Sequence, residues 1–104
     1  MSIEIKNAKQ LEEVLSENKN VVVDFYAVWC GPCQRLGQIV HSIEGEYENV
    51  VFAKVNVDEV PELASKYGVF SIPQVNLFKE NKQVDMFVGA RDVNSLKEIL
   101  NKNF

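Results

Sequence analysis

Apolar and polar positions along the chain change period several times, and each change marks an element. Ile3 and Ile5 alternate with Ser2, Glu4 and Lys6, the period of two expected of a short edge strand. Asn7 then reads as a helix N-cap with Gln10 at the capping-box position. Ala8, Leu11, Val14 and Leu15 fall on one face of that helix, and Asn18-Lys19-Asn20 ends it. Val21 to Val28 is a continuous apolar run broken by a single charge, Asp24. Such runs belong to strands buried on both faces, as in parallel sheets covered by helices. A long helix follows Gly31-Pro32, with Leu36, Val40, Ile43 and Tyr47 at helical spacing. Val50 to Val57 is a second buried strand, and Val60, Leu63, Ala64 and Tyr67 mark a short helix ended by Gly68.

From Gln74 to Val88 the pattern becomes that of two strands flanking Glu80-Asn81, an antiparallel hairpin. Gly89 closes it, and Asp92 caps a last helix whose inner stripe is Val93, Leu96, Ile99 and Leu100. The order is βαβαβ, then α, then ββα. Right-handed crossovers put the helices on both faces of a mixed sheet of about five strands, an α/β architecture.

Length bounds this to one domain over residues 1–104, since 104 residues leave no room for a second core. Surface scaling gives about 6,000 Å² exposed when folded against about 17,000 Å² unfolded, enough burial for a core without a metal or disulfide frame. With 46% hydrophobic and 25% charged residues, disorder is excluded. The longest apolar run, Phe25 to Cys30, falls far short of the roughly 20 residues of a spanning helix. Net charge is −4 and no two basic residues are adjacent, so nothing tracks a phosphate backbone and nucleic acid is no partner. The opening residues 1–6 lack the basic and apolar regions of a secretory signal. A cytoplasmic monomer is the expectation.

The chemistry is expected at Trp29-Cys30-Gly31-Pro32-Cys33, where a buried strand turns into a helix. Residues three apart on a helical turn are neighbours, so the two thiols can reach disulfide geometry without unfolding anything. Unpaired N–H groups of the first turn and the helix dipole favour a thiolate at Cys30. Pro32 stands where a helix has no use for the missing N–H. A purely structural staple is a weaker reading, because closing so short a loop constrains the unfolded chain by only about 2 kcal/mol. Zinc wants four ligands, and the chain offers two Cys and one His. That His41 lies about 12 Å further along the helix, out of reach of the same ion. Two cysteines packed merely as small hydrophobes are the third rival, and redox chemistry is favoured over all three.

With these residues in a βαβ context, the chain resembles the thioredoxin family over essentially its whole length. The likeness rests on Val22 to Cys33, on Phe52 to Asp58, on Val69-Phe70-Ser71-Ile72-Pro73 and on Val88-Gly89-Ala90. It implies the thioredoxin fold and protein-disulfide reduction in two steps. Cys30, the more exposed thiol, attacks a target disulfide, and Cys33, the more buried, resolves the mixed disulfide. It also implies that Asp24 relays a proton for Cys33 through water. The competing reading is a structural Asp24 satisfied by Lys54. Pro73 is implied to be cis and to face the disulfide, while the Ile72 backbone pairs with substrate as an added strand. Trp29, Gly31, Pro32, Ile72, Gly89 and Ala90 would form an apolar rim for disulfide-containing target proteins. No cofactor or metal is implied, and a separate thioredoxin-reductase-type donor would recharge the pair.

Several positions depart from the family pattern. Gln34 replaces a usual Lys, with Arg35 a partial substitute. Gln38 replaces a helix-kinking proline, Tyr26 a frequent Trp, and Gln74 a common Thr. Asn76 interrupts a strand and, if buried, needs a partner. His41 reads as a solvent-side residue, and Met86 as strand packing. Gly-Pro between the cysteines argues against an oxidant or isomerase, whose branches usually carry His before the second Cys. A redox-silent binding module is the rival of another class, and the retained Asp24, Lys54 and Pro73 speak against it.

Overall fold

A computed structural model of the chain describes residues 2–104. Its elements run β1 (Ile3–Glu4), α1 (Ala8–Glu17), β2 (Asn20–Tyr26), α2 (Gly31–Ile43), a 3-10 turn (Glu44–Glu46), β3 (Val51–Asn56), α3 (Pro61–Lys66), β4 (Gln74–Lys79), β5 (Lys82–Val88) and α4 (Val93–Asn103). One five-stranded sheet results, in the order β1-β3-β2-β4-β5. β3 is parallel to β1 and to β2, whereas β4 is antiparallel to β2 and β5 to β4.

The period of two sorts side chains between two cores. Val21, Val23 and Phe25 pack with Leu11, Val14 and Leu15 of α1 and Leu63 of α3. Val22 turns to the other face, with Leu36, Val40 and Ile43 of α2 and Leu96 and Leu100 of α4. Each fully buried side chain of this kind contributes about 1.5–3 kcal/mol relative to exposure. The folded surface of 5781 Å² lies close to the expectation from mass.

Local signals set the boundaries. Asn7 caps α1 by accepting the Gln10 N–H at 2.8 Å. The Gln10 side chain reaches back to the Lys6 N–H at 2.6 Å, one residue earlier than a capping box requires. Glu80 and Asn81 both take positive φ, 52° and 64°, as the tight turn of a two-residue hairpin demands.

Some expectations are corrected. Asn20 opens β2 and is buried, its amide donating to the Asn49 carbonyl, rather than ending α1. Val28 lies beyond β2 and is exposed. Tyr47 follows the 3-10 turn instead of continuing α2. Val93 and Met86 are exposed, because the outer side of edge strand β5 and the first turn of α4 have no element packed over them.

Candidate active site

Strand β2 ends at Tyr26, and the turn through Ala27, Val28 and Trp29 delivers Cys30 to the N-cap of α2. Cys30 and Cys33 are disulfide-bonded with their Cα atoms 5.2 Å apart. The Cys33 backbone N–H donates to Cys30 Sγ at 3.2 Å, an orphan donor of the helix start aimed at the sulfur. Pro32 occupies the first turn of α2, where no N–H is needed. The expected contrast in exposure is slight, 5% for Cys30 against 3% for Cys33. What separates the two is direction. Cys30 Sγ lies 4.0 Å from the Ile72 carbonyl, whereas Cys33 lines a cleft of about 620 Å³ shared with Asp24.

Across from the cysteines, the Ile72–Pro73 peptide is cis. Ile72 packs half-buried against Ala27, Cys30 and Cys33, and Pro73 is buried. The Gly89 N–H donates to the Pro73 carbonyl at 2.8 Å, tying the corner of Gly89 and exposed Ala90 to this loop. Gly89 has φ +93°, a backbone conformation that favours glycine. Gly31 and Pro32 are exposed, and Trp29 is 70% exposed with its indole Nε1–H donating to Asp58 Oδ2 at 2.8 Å.

Behind the disulfide, Asp24 is 5% exposed and no protein group hydrogen-bonds its Oδ1. Burial pushes its pKa up to about 7; the Lys54 charge opposes that rise and the Glu4 charge adds to it. Lys54 is the register partner of Asp24 on β3. Yet no ion pair forms between them among the described residues; the Lys54 ammonium lies over the Tyr26 ring, 4.5 Å from its centroid. The structure thus does not satisfy Asp24 through Lys54.

A cysteine pair at a helix start, a cis-proline opposite and a buried acid behind form one constellation, and its relatives are consistent. The thioredoxin family model matches residues 2–102. The chain is 45% identical over 96 residues to a thioredoxin of Mycoplasmoides gallisepticum, covering 92% of this chain and 96% of that one. It is 48% identical over 93 residues to a thioredoxin of Rickettsia bellii, covering 88% and 89%. The chain belongs to the thioredoxin family. The solved thioredoxin of Fasciola hepatica superposes with a TM-score of 0.91 at 39% identity over 96% of this chain and 97% of that one. That of Plasmodium falciparum gives 0.91 at 34% identity, over 96% and 97%. The protein is accordingly a thiol–disulfide oxidoreductase that works by dithiol–disulfide exchange at Cys30 and Cys33.

Within the thioredoxin fold, the departures resolve physically. Gln34 donates to the Val28 carbonyl at 2.6 Å, bracing the turn before Cys30. The Arg35 guanidinium turns back toward Gly31, with Nη1 3.7 Å from where a Cβ there would lie. Helix α2 runs unbroken through Gln38. Asn76, fully buried, accepts from Gln74 Nε2 at 3.0 Å and donates to Gln83 Oε1 at 3.4 Å, so the amides satisfy one another. His41 is exposed, with Nδ1 3.5 Å from Glu44 Oε1, and also lines the Asp24 cleft. Sequence reasoning missed Asp58, the partner of Trp29, and Phe70, which is 97% exposed two residues before Ile72. An apolar residue beside a motif was the available signal for Phe70. It missed Glu4 as well, whose carboxylate accepts the Tyr26 hydroxyl at 2.9 Å on both oxygens.

Proposed function

We propose that this thioredoxin reduces disulfides of target proteins, with Cys30 as attacking thiolate, Cys33 as resolving thiol and Asp24 as proton acceptor. The Cys30 thiolate attacks one sulfur of the target; the target S–S bond breaks and one target thiolate leaves, taking a proton from solvent. Cys33 then gives its proton to the Asp24 carboxylate through water, and its thiolate attacks Cys30 Sγ. The Cys30–target bond breaks as the Cys30–Cys33 bond forms. The second target sulfur departs and takes the proton held by Asp24. Two electrons pass from the cysteine pair to the target.

The observation that carries this reading is directional: Cys33 shares its cleft with Asp24, while Cys30 faces the Ile72 carbonyl. A pKa near 7 lets Asp24 both accept and return a proton at neutral pH. Exposed Trp29, Gly31, Pro32 and Ala90, with Ile72 and Gly89 half-buried, form a shallow rim for an extended peptide, and Phe70 widens it. Ile72 backbone groups would pair with that peptide as an added strand, and Lys54 supports Asp24.

On this reading residues 1–104 act as one domain and a monomer, in the cytoplasm, in electron transport from a separate thioredoxin-reductase-type donor. Among the described residues no helix is long and apolar enough to cross a membrane. Trapping tests the assignment. Cys33→Ser should accumulate a mixed disulfide between Cys30 and a protein target, and Cys30→Ser should accumulate none. The opposite pattern would exchange the roles of the two thiols.

A further inference from the structure

Three charged residues lie in one row across neighbouring strands. Asp24 on β2 pairs in register with Lys54 on β3, and Lys54 pairs with Glu4 on β1. Partners in parallel register share a face, here the face covered by α2, so Lys54 stands between two carboxylates. Tyr26, two residues beyond Asp24 on the same face, completes the group. Its hydroxyl donates to both oxygens of Glu4 at 2.9 Å, and its ring holds the Lys54 ammonium. Burial and the Glu4 hydrogen bond push the Tyr26 pKa up to about 12, so the phenol stays a donor throughout the working range.

We infer that Glu4 is a positioning residue of the exchange reaction: anchored by Tyr26, it shares the positive charge of Lys54 with Asp24 and thereby sets the pH at which Asp24 can take the Cys33 proton. The inference rests on the reading that Asp24 accepts that proton. Its physical basis is the row. A lysine facing Asp24 alone would settle on it and hold it ionised well below neutral pH. Here the ammonium instead lies over the Tyr26 ring, 4.5 Å from its centroid, and the Glu4 charge itself disfavours a second anion nearby. The other titratable groups turned toward Asp24 are Cys33 and His41, both on α2. Glu44 of the 3-10 turn lines a smaller cavity of about 240 Å³ beneath Asp24, whose β4 partner Val75 carries no charge.

Glu4 and Asp24 are two strand spacings apart, about 10 Å. A unit charge at that distance moves a titration midpoint by roughly one pH unit at an effective dielectric of about 20. The experiment follows the side-chain carboxyl ¹³C resonance of Asp24 against pH in the oxidised protein, where neither thiol titrates. It pairs this with the pH profile of single-turnover mixed-disulfide resolution in the reduced protein. Glu4→Gln, which can still accept the Tyr26 O–H, should lower the Asp24 midpoint by that amount and move the rising limb of resolution equally far down. Lys54→Met should move both upward, and the opposite signs exclude a general loosening of the sheet. An unmoved Asp24 midpoint in Glu4→Gln, or a downward one in Lys54→Met, overturns the inference. So does a resolution limb that stays put while the midpoint moves. If Asp24→Asn also retains that limb, it is the proton-acceptor reading of Asp24 that has failed; if Asp24→Asn loses it, only the role of Glu4 falls.

Discussion

Removing the Asp24 carboxyl should make the oxidised protein more stable, and by an amount that depends on pH in a defined way. In the folded chain the group titrates near 7, against 3.8 when unperturbed, because burial disfavours its anion. Below pH 3.8 it is protonated in both states, and the perturbation costs nothing. As pH rises, the unfolded chain ionises first and gains stability that the folded chain cannot match until pH passes 7. Native stability therefore falls across that window and is level above it. About three pH units at about 1.4 kcal/mol each give a loss of about 4 kcal/mol, an order-of-magnitude figure. Asp24→Asn abolishes the titration. Its own packing and hydrogen-bonding cost is independent of pH and cancels when variant and parent are compared at two pH values. Urea unfolding of both oxidised proteins from pH 4 to 8.5 should thus show the difference, variant minus parent, rising by about 4 kcal/mol. A difference that is flat with pH would mean that Asp24 titrates as an exposed carboxylate does, and the buried-acid argument would fail with it.

Three further outcomes follow from particular contacts. Phe70→Ser should lower kcat/KM for a protein disulfide roughly fivefold, about the worth of partly burying one aromatic side chain, while leaving turnover of a small-molecule disulfide unchanged; equal losses on both substrates would remove Phe70 from the target surface. Asp58→Ala frees the indole of Trp29, the chain's single tryptophan, and should alter its fluorescence while changing stability by less than about 1 kcal/mol in urea unfolding. Asn76→Ala leaves the Gln74 amide without its buried acceptor and should cost about 1–3 kcal/mol by denaturant unfolding; a loss below about 0.5 kcal/mol would mean that Gln74 finds another partner.

The parts of the fold legible in the sequence are those governed by local period and punctuation. The run from Val21 announced a strand buried on both faces, and Asn7, Gly68 and Asp92 marked helix ends. Asp24 was conspicuous because a charge inside such a run must have a reason. What local pattern does not carry is pairing. Val93 repeats at helical spacing with Leu96, yet it lies on the first turn of α4, beyond what the sheet covers. Phe70 has the composition of a core residue, and its full exposure depends on how the loop before the cis-proline leaves α3. Glu4 read as the polar half of an alternating edge strand. Nothing within β1 could reveal that this strand docks on β3 in the register that sets Glu4 beside Lys54.

That register ties the chemistry to a strand only two residues long. In a parallel sheet a shift of one residue turns every side chain to the opposite face. Sliding β1 by one position would put Ile3 or Ile5 beside Lys54 and leave Tyr26 without its acceptor. The apolar pattern resists the slip, because Ile5 is buried against α1 while Ile3 tolerates partial exposure at the sheet edge. The packing that closes the core on the α1 side therefore also fixes which charge faces Lys54 on the α2 side. Substitutions at Ile5 that loosen β1 should accordingly disturb the pH dependence of exchange as well as stability, although Ile5 touches neither cysteine. An Ile5→Ala variant that lost stability, as deletion of a buried methyl cluster requires, but kept the Asp24 midpoint of the parent would show that the register of β1 survives without its anchor.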